Sequence, residues 1–172
     1  MMKSLVNMEQ TDFPTLVDAH IQKHCYYTRQ GLLGRKKPWD VLQNIEIQIE
    51  HGEILGLVGE SGCGKSTLAR LLLGHQKPTQ GVVLFKNQPI PEPRSKAWRA
   101  QRAAMQMIYQ DPYGCFDSRM SVIEQVAEPL MVHKHLSKAD ALQRAAAVLK
   151  AVGMPAHHMN KLPVVMSGGQ LQ

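Results

Sequence analysis

Gly59, Glu60, Ser61, Gly62, Cys63, Gly64, Lys65, Ser66 and Thr67 run consecutively and spell G-x-x-x-x-G-K-S-T, the spacing of a phosphate-binding loop. Such a loop works through its backbone. It aims several N–H groups and the positive end of a helix at one point, which suits a polyphosphate. Lys65 is expected to bridge the β- and γ-phosphates as a mobile point charge, and the Ser66 hydroxyl to ligate Mg²⁺. Gly62 and Gly64 leave room for phosphate to approach the backbone, or allow a positive φ where a side chain would clash. Cys63 reads as a small filler inside the loop rather than as a nucleophile. The loop predicts binding of a nucleoside triphosphate.

The flanking elements must hold that loop in place. The apolar run Ile54 to Val58 reads as a buried strand entering it, and Ser66 to Leu73 as a helix leaving it. Upstream, residues 1–14 read as a leader and Thr15 to Tyr27 as a first strand. Gln30 to Trp39, with two glycines, a proline and three consecutive cations, reads as an exposed loop. Ile45, Ile47 and Ile49 alternate with Glu46, Gln48 and Glu50, the period-two pattern of a half-buried, antiparallel strand closed by a turn at His51-Gly52. Gly74 to Gly81 reads as a turn region and Gly81 to Asn87 as another strand. Pro89, Pro91 and Pro93 interrupt regular structure after that strand; Trp98 to Met105 reads as a helix and Met107 to Tyr109 as a short core strand.

Beyond Gln110 the texture turns helical. Ser121 and Glu124 form an S-x-x-E capping box, and Pro129 is expected to end or kink that helix. Ser137 to Val152 has a serine N-cap, Asp140 in its first turn, one apolar face and Gly153 as its stop. This divides the chain into a leader at 1–14, a mixed α/β part over 15–110 and an α-helical part over 111–172.

Bulk properties narrow the class. Lys and Arg outnumber Asp and Glu by 20 to 14, and the excess of +6 concentrates at Arg35-Lys36-Lys37 and between Arg94 and Arg102. Such clusters fit nucleic acid, an anionic membrane surface or simply a solvated face, and neither carries the interleaved aromatics of a base-stacking platform. Three separated cysteines, Cys25, Cys63 and Cys115, argue against a disulfide framework or a zinc site and fit a reducing cytosol. No apolar stretch approaches the ~20 residues of a membrane span, and the N-terminal residues lack a secretion signal's apolar core. His157-His158 and the His133, His135 pair offer metal-like spacings, but the reading favoured for them is solvated loop or helix-end residues.

Two further motifs narrow the family. Met166-Ser167-Gly168-Gly169-Gln170 lies far downstream of Lys65, and Gln110 follows a short apolar run and precedes Asp111-Pro112. The first resembles the signature motif of ABC-type ATPases, with Met for the usual leading Leu, and Gln110 resembles their Q-loop. The order and spacing of all three motifs match that family. The implied fold is α/β: a P-loop NTPase core of the ABC type, with an antiparallel β subdomain and an α-helical subdomain, incomplete at its C-terminus.

The resemblance also implies roles. ATP and Mg²⁺ would be the cofactors, sandwiched between two subunits in a head-to-tail dimer. Ser167, Gly168, Gly169 and Gln170 of one subunit would meet the γ-phosphate held by the other. Gln110 would join Lys65 in catalysis and Ser66 at the metal, sensing Mg²⁺ and the attacking water. Adenine would stack on an aromatic near the first strand; Tyr26 and Tyr27 both qualify, and Tyr26 is favoured.

The stretches GLVGESGCGKSTLARLLLG, MQMIYQDPYGCFDSRMSVIEQVAEPL and SGGQLQ look like the ATP-binding subunits of dipeptide, oligopeptide and nickel importers. That implies membrane permease subunits and a solute-binding protein as partners, no nucleic acid, and a peripheral position on the cytoplasmic face of the membrane. The family continues to an Asp-Glu strand and a switch histidine that these 172 residues do not contain. A truncated subunit, binding ATP weakly and hydrolysing none, is therefore the expectation. A non-transport ABC ATPase and an inactive nucleotide-binding fragment are the alternatives.

Overall fold

The computed structural model describes residues 15–29, 31 and 36–172. The leader expected over 1–14, and Arg35 with most of the loop before it, lie outside the described residues. The chain divides into two compact units between Gln101 and Arg102, whereas composition alone places the change near Gln110.

The first unit is built on a four-stranded antiparallel sheet in the order β2-β1-β3-β4, with β1 Thr15–Arg29, β2 Lys36–Glu50, β3 Gln80–Phe85 and β4 Gln88–Pro89. Val17, Ala19 and Ile21 alternate along β1 and are buried, as the pleat requires of a strand with one covered face. A register shift at His24/Cys25 then brings two successive side chains inward. Ile45, Ile47 and Ile49 are half-buried while Glu46 and Gln48 are exposed, which is the alternation their sequence spells. The segment expected to be a loop through Trp39 is strand from Lys36 onward. β1 runs on to Arg29 and pairs with it, and β2 lies at the sheet edge, where Pro38 is tolerated.

Helix α1, Lys65–Leu72, follows the glycine-rich loop and buries Thr67, Leu68 and Leu71. The short helix α2, Lys96–Gln101, ends this unit; a 3₁₀ turn over Arg102–Ala104 replaces the last turn expected of a helix reaching Met105.

Two expected strands are not strands. Ile54 to Val58 and Met107 to Tyr109 pair with no other segment among the described residues, and Ile54 is 96% exposed, Val58 83% and Ile108 85%. Apolar composition supplies the propensity for a strand, but a ladder needs a neighbouring backbone to receive its hydrogen bonds.

The second unit is helical: α3 Val122–Lys134, α4 Lys138–Ala151, α5 Ala156–Met159 and α6 Gly168–Leu171. Glu124 Oε2 accepts from both the backbone N–H and the hydroxyl of Ser121, at 3.2 and 2.7 Å, so the capping box opens α3. Pro129 lies inside α3, which continues past it to Lys134. Ser137 Oγ accepts from the Asp140 N–H and caps α4. Ala127, Ala141 and Ala145 are fully buried, small side chains that let α3 and α4 pack closely. A second cluster gathers Val122, Leu149, Met159, Met166 and Leu171, with Phe116 packed against it. No helix among the described residues is long and apolar enough to cross a membrane.

Candidate nucleotide site

Gly62 and Gly64 both take left-handed backbone conformations, with φ of 83° and 99°. Gly64 is the N-cap of α1, and no side chain caps the first-turn N–H groups. An acidic or hydroxyl cap would occupy those donors; here they stand free for an anion. Around Gly64 the loop is walled in. A Cβ there would lie 2.8 Å from Leu42 Cδ2 and 3.3 Å from both Val41 Cγ1 and the Val41 carbonyl. Val41, Leu42, Gln43, Leu57, Gly64 and Lys65 border a groove of about 190 Å³ at this wall.

Lys65 folds back over its own loop. Its Nζ donates to the carbonyls of Gly59 and Glu60 at 2.8 and 2.7 Å and lies 3.7 Å from Cys63 Sγ. These acceptors are neutral, so phosphate oxygens at the same point would make stronger, charge-assisted bonds. The uncapped helix end, the two left-handed glycines and the ammonium together fit a polyphosphate. Ser66, the residue expected at the metal, is exposed at the helix start, and Ser61 and Glu60 are exposed in the loop.

Thr67 is buried and points toward β1. Its hydroxyl lies 3.4 Å from the Tyr26 hydroxyl, which donates to Gln76 Oε1 at 2.9 Å. Tyr26 is thereby joined to the loop helix, and its ring meets His24 edge-on at 5.2 Å. Tyr27 projects outward at 59% exposure, and its hydroxyl is held above the ordinary phenol pKa, chiefly by the Cys25 thiol. His24 is buried at 6% exposure with no hydrogen-bond partner at either ring nitrogen among the described residues, and burial holds its pKa below the usual imidazole value. Residue types alone do not reveal Gln76, which lies in the expected turn region, or the Val41–Leu42 wall.

The remaining site residues lie in the second unit. Gln110 is exposed and directly precedes Asp111, whose Oδ1 accepts from the Tyr113 N–H at 3.1 Å. Ser167 is the N-cap of α6, and its N–H donates to Gln170 Oε1 at 3.0 Å, a capping box within the signature-like motif itself. Gln170 Nε2 also lies 3.3 Å from His158 Nδ1. Gly168 lies against the Tyr113 ring, and Gly169 has open space where a side chain would project. His157 and His158 stack edge-on at 4.2 Å, and no group of three or more His, Cys, Asp or Glu among the described residues could hold a metal ion.

A four-stranded antiparallel sheet beside a phosphate loop, with a separate helical unit ending in a serine-capped Gly-Gly turn, defines an ATP-binding cassette fold. Solved structures agree. The dimeric, ADP- and Pi-bound post-hydrolysis form of the ATP-binding cassette MJ0796 superposes with a TM-score of 0.75 at 24% identity, over 91% of this chain and 65% of that one. The cbiO1 protein of Clostridium perfringens, part of the ABC transporter complex cbiONQ, superposes at 0.66 with 26% identity, over 92% and 58%. Residues 42–172 match the sequence profile of the family described as ABC transporter, and the chain belongs to that family. Among named relatives, the nickel import ATP-binding protein NikE of Pseudomonas putida is 43% identical over 92% of this chain and 58% of its own length. NikE of Rhodospirillum rubrum is 42% identical over 85% of this chain and 53% of its own length. The chain thus spans less than two thirds of the length of these relatives.

Proposed function

We propose that these residues form the ATP-binding and signature portion of the energy-coupling subunit of an ABC importer whose cargo is nickel. The observation that carries nucleotide binding is the uncapped start of α1, framed by Gly62 and Gly64 with Lys65 held over the loop. The likeness to two NikE proteins supports nickel over peptides as cargo. ATP would lie along the loop with Lys65 on its outer phosphates, and Mg²⁺, supplying charge neutralisation when bound, would be met by Ser66, while Gln110 is the proposed sensor of nucleotide state in the helical unit. Tyr26, joined through its hydroxyl to Thr67, is the nearer tyrosine for the base. Ser167, Gly168, Gly169 and Gln170 would close over the nucleotide of a second subunit. Membrane permease subunits and a solute-binding protein complete the assembly, with this subunit peripheral on the cytoplasmic face.

The 172 residues contain no Asp-Glu pair, so on their own they would bind ATP weakly and not turn it over. Equilibrium titration with ATP and Mg²⁺ tests the binding part. Lys65→Ala removes a charge-assisted contact and should weaken binding by about 10- to 150-fold. Equal affinity of the two proteins, or Lys65-dependent steady-state phosphate release, would overturn the proposal. Uptake of radiolabelled nickel by cells dependent on a protein carrying these residues tests the cargo; uptake of dipeptides instead would reassign it.

A further inference from the structure

The second unit contains a physical connection between Gln110 and the signature-like motif that the motifs themselves do not show. Tyr113 donates its hydroxyl to the Met166 carbonyl at 3.0 Å, and its ring lies against Gly168. Met166 immediately precedes Ser167, so this bond fixes the peptide that aims the Ser167 N–H into the α6 capping box. At its other end Tyr113 is tied to Asp111, the residue after Gln110, through its own N–H. The Cys115 thiol and N–H bond back to the Asp111 and Pro112 carbonyls at 3.4 and 3.1 Å, tightening the same turn.

That turn is itself anchored. Phe116 packs on the cluster holding Met166 and Leu171. Gln125 accepts from the Asp117 N–H and donates to the carbonyls of Asp117 and Met120, all at 2.9 Å. The segment following Gln110 is therefore a braced turn whose one hydroxyl reaches the start of the signature corner.

We infer that Tyr113 is a positioning residue that transmits the placement of the segment after Gln110 to the Ser167–Gln170 corner. The inference rests on the roles proposed for Gln110 and Ser167, for which the link would join the group that senses nucleotide state to the group that meets the opposite nucleotide. Tyr113 acts through Met166 and Asp111. Its position 53 residues from Met166 makes it a tertiary contact, not a local cap.

The test uses the whole 172-residue chain, isotopically labelled, and needs no nucleotide. Tyr113→Phe keeps the ring and deletes the hydroxyl. The Met166 carbonyl carbon and Ser167 amide nitrogen should shift as the bond is lost, and exchange of the Gln170 and Leu171 amides, both bonded to the Ser167 carbonyl, should quicken by about fivefold, the worth of one neutral hydrogen bond. Asp111→Ala should move the Ser167 amide in the parent protein and leave it unmoved in the Tyr113→Phe background, a non-additivity that mere local packing would not produce. Resonances of Ala145 and Leu149 in α4 report that the unit stays folded. If Tyr113→Phe disturbs them too, Asp111→Ala, which leaves the tyrosine intact and removes the acceptor of its N–H, takes its place, and silence at Ser167 then overturns the inference. Unchanged Met166 and Ser167 signals in Tyr113→Phe, or additive effects in the cycle, also overturn it. Failure of ATP to bind in the Lys65 experiment would instead remove the nucleotide reading and leave this connection measurable.

Discussion

Gly62 and Gly64 offer a controlled comparison within one loop. Both have positive φ, 83° and 99°, so Gly→Ala at either costs roughly 1–2 kcal/mol of left-handed strain. At both, alanine also narrows the unfolded ensemble, which returns about 0.4–1 kcal/mol. These terms largely cancel between the two variants. The difference lies in space. Nothing lies within 4 Å of a Cβ at Gly62, whereas one at Gly64 stands 2.8 Å from Leu42 Cδ2 and 3.3 Å from the Val41 carbonyl. Leu42 is only 6% exposed, so its methyl has little room to retreat, and the carbonyl belongs to a paired strand. Overpacking of this kind costs about 1–3 kcal/mol. Gly64→Ala should therefore be the less stable variant by that amount. With a urea dependence of about 2 kcal/mol/M, the two midpoints should differ by roughly 0.5–1.5 M. Urea titration followed by the fluorescence of Trp39 and Trp98, both in the first unit, measures this directly. Coincident midpoints, or Gly62→Ala the weaker, would refute the claim that the β2 wall seats against the phosphate loop.

Two further outcomes concern pH. His24 has a folded pKa below its ordinary value because burial disfavours the cation, so its contribution is full above about pH 6.5 and lost as pH falls below that value toward the folded pKa. His24→Leu should flatten this part of the stability–pH curve of the first unit, and an unchanged curve would count against the buried neutral imidazole. Asp117 is held at about 2 by its hydrogen bonds from Arg119, so the pair's contribution exists above the ordinary carboxylate value and fades as pH falls toward 2. Arg119→Gln should return the Asp117 carboxyl to the usual carboxylate range in an NMR titration, with little change in overall stability because the pair is exposed.

How much of the fold and site is legible in the residues alone depends on the range of the interactions. Capping at Ser121–Glu124 and Ser137–Asp140, and the serine opening of α6, involve residues within one turn, and residue type decides them locally. The alternation of Ile45, Ile47 and Ile49 is equally local. Ile54 to Val58 has the same kind of legible composition but not the outcome, because a strand is a relation between two backbones and no partner stands beside it among the described residues. Lys36 to Trp39 shows the converse: proline and charge spell a loop, yet the extension of β1 through Tyr26 to Arg29 supplies a partner and makes them strand. The same distinction governs the site. Loop and signature are contiguous motifs whose chemistry lies in the backbone they impose. Gln76 under Tyr26, the Leu42 wall at Gly64 and Tyr113 on Met166 are contacts between segments distant in sequence, where the side chain's role is set by the neighbours that folding brings to it. Tyr113 is visible in the sequence as part of a distinctive Asp-Pro-Tyr-Gly run; only the placement of Met166 gives its hydroxyl something to do.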